Sequence, residues 1–127
     1  MRLLIDTHVF LWWDQRVARL AKRVRDLLAD AENEVFVSAA SVWEIAIKRK
    51  LGKLAFEGSV PDAVGRNGFR PLDVSLDDGE LAGGLDWRHA DPFDRLLVAQ
   101  TYRRQLTFVT ADEQIKAFPG ITIVRAR

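Results

Sequence analysis

Apolar and polar positions along the chain repeat with two short periods, one suited to strands and one to helices. The opening "RLLID" (residues 2–6) is a brief apolar run closed by an acid, the pattern of a strand buried on both faces of a parallel sheet. A short helix is expected from Thr7 to Trp13. "RVARLAKRVRDLLAD" (16–30) carries Val17, Leu20, Ala21, Val24, Leu27 and Leu28 at amphipathic spacing and predicts a second helix. "EVFVS" (34–38) reads as a strand. Ser38 or Ser41 can cap the following helix "AASVWEIAIKRKLG" (39–52), whose basic last turn and Gly52 suit a C-terminus.

Further on, "SVPDAVGRNG" (59–68) predicts a short helix ended by glycine, "FRPLDVS" (69–75) a brief strand and "LDDGELAGGL" (76–85) a weak helix. A helix opens at Pro92, followed by the strand "LTFVT" (106–110), the helix "DEQIKAF" (112–118), the turn "PG" and the strand "ITIVR" (121–125). No internal repeat interrupts this order. Short strands alternating with helices predict an α/β domain: a parallel sheet with helices on both faces, binding ligands at the carboxyl ends of its strands near a topological switch point.

Composition narrows the chemistry. The 127 residues suit one domain, 1–127, with enough length for a real core. With 19 basic and 18 acidic side chains the net charge is +1, so nucleic-acid binding has to come from a local patch. Cysteine is absent, which excludes disulfides and thiolate metal sites and suits a reducing cytosol. His8 and His89 are too few for a histidine-rich centre, so a bound metal is expected to be an oxygen-liking Mg²⁺ or Mn²⁺. The apolar start "MRLLIDTHVFLWW" is broken by Asp6 and His8 and is expected to be neither a signal peptide nor a membrane span.

One stretch, "ADPFDRLLVAQ" (90–100), sets two aspartates three positions apart at the mouth of a helix. Asp91, just before Pro92, is the natural cap. Asp94 sits inside the first turn beside Leu96, Leu97 and Val98, where only the helix dipole favours it. Three more acids resemble it. Asp6 closes the first strand, Asp112 follows the fourth in "FVTAD", and Glu44 is flanked by Val42, Trp43, Ile45, Ala46 and Ile47. Each has a purely structural use: Asp6 and Asp112 as caps, Glu44 paired with Lys48, Asp94 paired with Arg95. Together they bring four carboxylates to one edge of a parallel sheet. Clustered acids raise one another's pKa, and a divalent cation compensates them. Such an ion suits phosphodiester hydrolysis.

"LLIDTHVFLW", "VSAASVWEIAIKRKLGKL", "DPFDRLLVAQ" and "FVTADEQI", in that order over nearly the whole chain, resemble the PIN domain, and specifically the VapC-type toxin ribonucleases of bacterial type II toxin-antitoxin systems. The resemblance implies a three-layer fold around a parallel five-stranded sheet and Mg²⁺- or Mn²⁺-dependent endoribonuclease activity in the cytoplasm. It implies that Asp6, Glu44, Asp94 and Asp112 are the catalytic and metal-binding acids. It also implies an RNA substrate, inhibition by a cognate VapB-type antitoxin, a homodimer and a toxin-antitoxin hetero-oligomer, with no membrane partner.

Around the acids, Thr7 reads either as a cap or as a hydroxyl near metal and substrate. Arg88 and Arg95 flank the site in sequence and are expected to touch phosphate, with Arg103 and Arg104 as further candidates. Lys48, Arg49, Lys50 and Lys53 read as a solvated helix end, and His8 and His89 as packing, surface or loop residues. Trp12, Trp13, Trp43 and Trp87 read as core, with a partner surface or base stacking as the alternative. Other strand-end Mg²⁺ folds fit poorly: a haloacid-type phosphatase needs "DxDxT" where this chain has "DTHVF", and Asp73 and Lys116 are badly placed for a receiver domain. A DNA nuclease and a catalytically silent nucleic-acid-binding module stay open as alternatives.

Overall fold

In the computed structural model, which describes residues 1–116 and 118–127, five strands build one sheet. They are β1 (Arg2–Ile5), β2 (Glu34–Ser38), β3 (Arg70–Leu72), β4 (Thr107–Thr110) and β5 (Thr122–Arg125). The sheet is parallel throughout, in the order β3-β2-β1-β4-β5. Between the strands run α1 (Thr7–Asp14), α2 (Lys22–Ala29), α3 (Ala39–Lys50), α4 (Val60–Arg66), α5 (Leu76–Gly84), α6 (Pro92–Arg104) and α7 (Glu113–Lys116). Residue 117, inside the helix expected over 112–118, lies outside the described residues.

Strand pleating explains the three layers. Leu3 and Ile5 of β1, Val35 and Val37 of β2 and Val109 of β4 face one side, where Val9, Phe10, Val24, Ile45, Ala63 and Val64 of the helices cover them. Leu4 and Phe108 face the other, under Leu97 and Val98 of α6 and Ile115 of α7. Leu3, Leu4, Ile5, Leu97, Val98 and Phe108 are all fully buried, and each contributes roughly 1.5–3 kcal/mol of hydrophobic free energy. A strand hidden on both faces has no polar alternation, which is why "LLI" reads as it does. Pro71 lacks an N–H and occupies the edge strand β3, where its absence is tolerated.

The chain steps outward from β1 to β2 and β3, then returns to the far side of β1 with β4 and β5. The switch point is therefore between β1 and β4, and their carboxyl ends flank a crevice.

One expected helix is shorter than its pattern. The run over 16–30 is helical only from Lys22, because α1 ends in a left-handed Arg16 (φ 56°) that turns the chain. The Arg16 N–H bonds to the Trp13 carbonyl at 3.2 Å and the Val17 N–H to the Trp12 carbonyl at 2.8 Å, closing the helix in a Schellman turn. Leu20 is buried without helical geometry, and the Ala21 N–H bonds to the Ala126 carbonyl at 2.9 Å. No helix among the described residues is long and apolar enough to cross a membrane.

Candidate functional site

The loop after β1 begins with Asp6, whose carboxylate accepts the Val9 N–H at 2.8 Å and so caps α1. Its other oxygen accepts the Thr110 hydroxyl from the end of β4. Asp6 is buried, and burial pushes its carboxyl above the ordinary range; Thr110, the Val9 N–H and nearby His8 oppose the shift, while the charge of Asp112 adds to it. Asp112 stands two residues past β4, with its N–H on the Thr110 hydroxyl at 3.0 Å and its carboxylate accepting the Gln114 N–H at 2.8 Å. Thr110 thus ties the two acids at the switch point to one hydroxyl.

At the start of α6, Asp91 caps the helix, accepting the N–H groups of Phe93 at 2.9 Å and Asp94 at 3.2 Å. Asp94 does not pair with Arg95. Its Oδ2 lies 2.6 Å from Nε2 of His89. Burial raises the Asp94 carboxyl to about 6; the His89 hydrogen bond opposes that rise, and Asp91 and Asp112 reinforce it. Ligand atoms of His89, Asp94 and Asp112 all lie within 4.8 Å of one another.

Glu44, in the second turn of α3, is buried and fully partnered. Lys48, one turn on, reaches its Oε2 at 2.6 Å, and the Thr7 hydroxyl donates to its Oε1 at 2.7 Å while lying 2.9 Å from the Ser41 hydroxyl. Thr7 joins Glu44 to its neighbour Asp6. The structural uses hold for most of these acids: Asp6, Asp91 and Asp112 cap helices and Glu44 has Lys48. Of the four expected site acids, Asp94 and Asp112 gather with His89, Asp6 is tied to Asp112 through Thr110, and Glu44 stands apart with Lys48 and Thr7.

Two clefts open beside this group. One, of about 290 Å³, is lined by Asp6, His8, Trp12, Arg19, Asp112 and Arg127, with the Arg19 and Arg127 guanidinium carbons 5.9 and 5.6 Å from the Trp12 ring centroid. The other is lined by Trp87, Arg88, His89, Ala90 and Gln114. Since Asp112 lines the first and His89 the second, they meet at the acids. A more apolar groove of about 520 Å³ lies away from them, between α3, α4 and the β3 edge.

A family profile for the PIN domain matches residues 3–121. This chain belongs to the PIN domain family. This PIN domain is 41% identical over 61 residues to Ribonuclease VapC16 of Mycobacterium tuberculosis, a stretch that covers 45% of the chain and 43% of that relative, less than half of either. Its fold is similar to a chain of the VapBC2 crystal structure from Rickettsia felis bound to a DNA fragment from their promoter (TM-score 0.68, 14% identity, all of both chains covered). It is also similar to a chain of a toxin-antitoxin complex from Klebsiella pneumoniae (TM-score 0.66, 17% identity, 98% of each chain).

Several expected substrate contacts are corrected in this PIN domain. Arg95 gives Nε to the Ala82 carbonyl, Nη1 to Trp87 and His89, and Nη2 to Gly83 and Leu85, which leaves no donor for phosphate. Arg103 and Arg104 grip the buried Asp78, both at 2.7 Å. Thr7 is buried and turned towards Glu44 rather than towards solvent. Arg88 is exposed on the second cleft, as a phosphate contact requires. Trp12, Trp13 and Trp87 pack on the two cores, whereas Trp43 is 58% exposed. Four residues that hold or line this region escaped the sequence reading as site residues: His89, Thr110, Arg19 and Arg127. Only His89 and Thr110 had a signal, a polar side chain within a few positions of a site acid.

Proposed function

We propose that this PIN domain is a divalent-metal-dependent endoribonuclease, the toxin of a type II toxin-antitoxin pair held inactive by a VapB-type antitoxin. The placement of Asp6, Asp94 and Asp112 at the carboxyl edge of the sheet carries the reading, because burial, reinforced by the charge of Asp112, penalises the charged forms of Asp6 and Asp94. A divalent cation reverses that penalty, and the oxygen-rich donor set fits Mg²⁺ or Mn²⁺. The similarity to Ribonuclease VapC16 supports RNA as substrate.

In this reading Asp6, Asp94 and Asp112 hold the ion, and Glu44 completes the acidic set with its carboxylate oriented by Lys48 and Thr7. The chemistry that such an ion supplies is a lowered pKa for the attacking water and charge neutralisation at the leaving oxygen. Asp112, which also lines the first cleft, would orient the attacking water. Arg19, Arg127 and Arg88 bind flanking phosphates from the two clefts, with Arg19 and Arg127 seated on the Trp12 ring.

The similarity to chains of toxin-antitoxin complexes supports an antitoxin partner. Its apolar segment would lie in the groove lined by Val42, Trp43, Ala46, Val64 and Phe69, a concave surface that suits an inserted helix or strand. A homodimer and action in the cytoplasm belong to the same reading.

The test is to incubate purified protein with RNA and DNA oligonucleotides of one sequence, each with Mn²⁺, with Mg²⁺ and with chelator. Cleavage of RNA alone, dependent on metal and suppressed when antitoxin is added, is expected. Cleavage of DNA alone would replace the substrate assignment, and an active antitoxin complex would remove the inhibitory role.

A further inference from the structure

The donor set at the head of α6 contains a nitrogen. His89 Nε2 lies 2.6 Å from Asp94 Oδ2, and His89, Asp94 and Asp112 offer three ligand atoms within 4.8 Å of one another. The imidazole is held there from several sides. Its ring packs on Trp87 with centroids 4.7 Å apart, and Trp87 is itself braced edge-on by Phe118 at 5.1 Å. Arg95 binds the main chain of the same loop, with Nη1 on the carbonyls of Trp87 at 2.8 Å and His89 at 3.1 Å and Nη2 on that of Leu85 at 2.9 Å. Arg95 comes from the residue after Asp94, so the group that builds the loop is fixed to the helix turn that carries the acid. The side chain of His89 is only 14% exposed, and its exposed edge lines the cleft beside Arg88. A loop histidine with no role beyond packing has no need of so many restraints on ring and backbone.

We propose that His89 is a direct nitrogen ligand of the divalent cation, making with Asp94 and Asp112 a mixed nitrogen and oxygen site, and that Arg95 is the positioning residue that holds it there. The proposal rests on the metal-dependent reading above and refines it. Imidazole favours transition ions over Mg²⁺, whereas an all-carboxylate site suits Mg²⁺ well. The site therefore selects Mn²⁺ over Mg²⁺. Ligation uses the Nε2 lone pair, so the ring carries its proton on Nδ1 and exchanges the Asp94 hydrogen bond for the metal bond.

Metal-free protein loaded with Mn²⁺ and studied by electron spin-echo spectroscopy tests this without any turnover. The wild type should show the modulation of a directly bound ¹⁴N nucleus. His89→Gln should lose it while still binding Mn²⁺ through the acids, more weakly than the wild type, with Mg²⁺ affinity nearly unchanged. His8→Gln, the control at the other histidine, should keep the signal. Arg95→Lys, which cannot reach the same carbonyls, should weaken the ¹⁴N signal with Asp94 and Asp112 intact. If Mn²⁺ binds in a manner abolished by Asp94→Asn or Asp112→Asn, yet the wild type shows no ¹⁴N coupling, the histidine assignment is overturned and the metal reading stands. A signal that survives His89→Gln and vanishes in His8→Gln overturns it as well. Absence of any acid-dependent Mn²⁺ binding would remove the metal reading itself.

Discussion

Asp91 and Asp94 stand within one helical turn and do different work. Asp91 satisfies two N–H groups at the start of α6, so Asp91→Ala should cost roughly 1 kcal/mol of stability and leave Mn²⁺ stabilisation in place. Asp94→Asn should instead hold or raise the melting temperature of the metal-free protein and remove most of the shift that Mn²⁺ gives, because it deletes a penalised charge that the ion needs. Melting curves of both variants with and without Mn²⁺ check the pair. The acidity of Asp94 adds a pH dependence. Its folded pKa, about 6, exceeds the unfolded value near 3.9, so the protonated carboxyl contributes stability that is full below the unfolded value and lost as pH rises through about 6. Metal-free wild type should therefore lose stability relative to Asp94→Asn between pH 4 and 7, as urea midpoints would show. Asp6 shifts in the same direction. Asp91 was legible in the sequence as the cap because capping chemistry is local. His89 was not, since its meeting with Asp94 and Asp112 depends on how a loop, α6 and the end of β4 are placed in space.

At the scale of elements, α5 and α6 are clasped by a buried charge. Asp78 closes the capping box of α5 with Ser75 and receives Arg104 through both oxygens, at 2.7 and 2.8 Å, together with Arg103 and Gln100. Burial alone would raise its carboxyl, but Arg104, the Ser75 N–H, Arg103 and Gln100 outweigh it and hold the group well below the usual carboxylate range. Asp78→Ala leaves those donors unmatched and should cost about 3 kcal/mol, with little change between 0.15 and 1 M salt. A loss below about 1 kcal/mol, or one that salt abolishes, would rank the clasp with ordinary surface pairs. In the sequence "LDDGELAGGL" reads only as a weak helix, because periodicity carries no sign of an acid buried by cations from a distant helix. The expected helix over 16–30 erred for a related reason. Its apolar spacing is real, but the left-handed turn at Arg16 is a backbone property that no hydrophobic pattern encodes.

For the whole molecule, a parallel sheet covered on both faces was legible in the sequence, whereas the strand order that fixes the switch point came only with the fold. "RLLI", "EVFVS" and "LTFVT" are apolar without alternation since each is covered on both faces, and parallel strands so buried place their carboxyl ends together. Asp6 and Asp112 fall at that edge on the two strands flanking the switch point, and α6 brings Asp94 to the same place. The arginines were less legible, since a guanidinium reaches carbonyls, buried acids or phosphates equally well and only the fold decides. The account rests on these acids acting together through a divalent ion. Single-turnover cleavage of an RNA oligonucleotide across a Mn²⁺ titration, for wild type and Asp6→Asn, tests that most directly. The account predicts saturable Mn²⁺ dependence in the wild type, no cleavage in chelator, and a loss of at least a hundredfold in Asp6→Asn, in keeping with removal of a metal-site charge. Cleavage that persists in chelator, or that Asp6→Asn leaves intact, would contradict it.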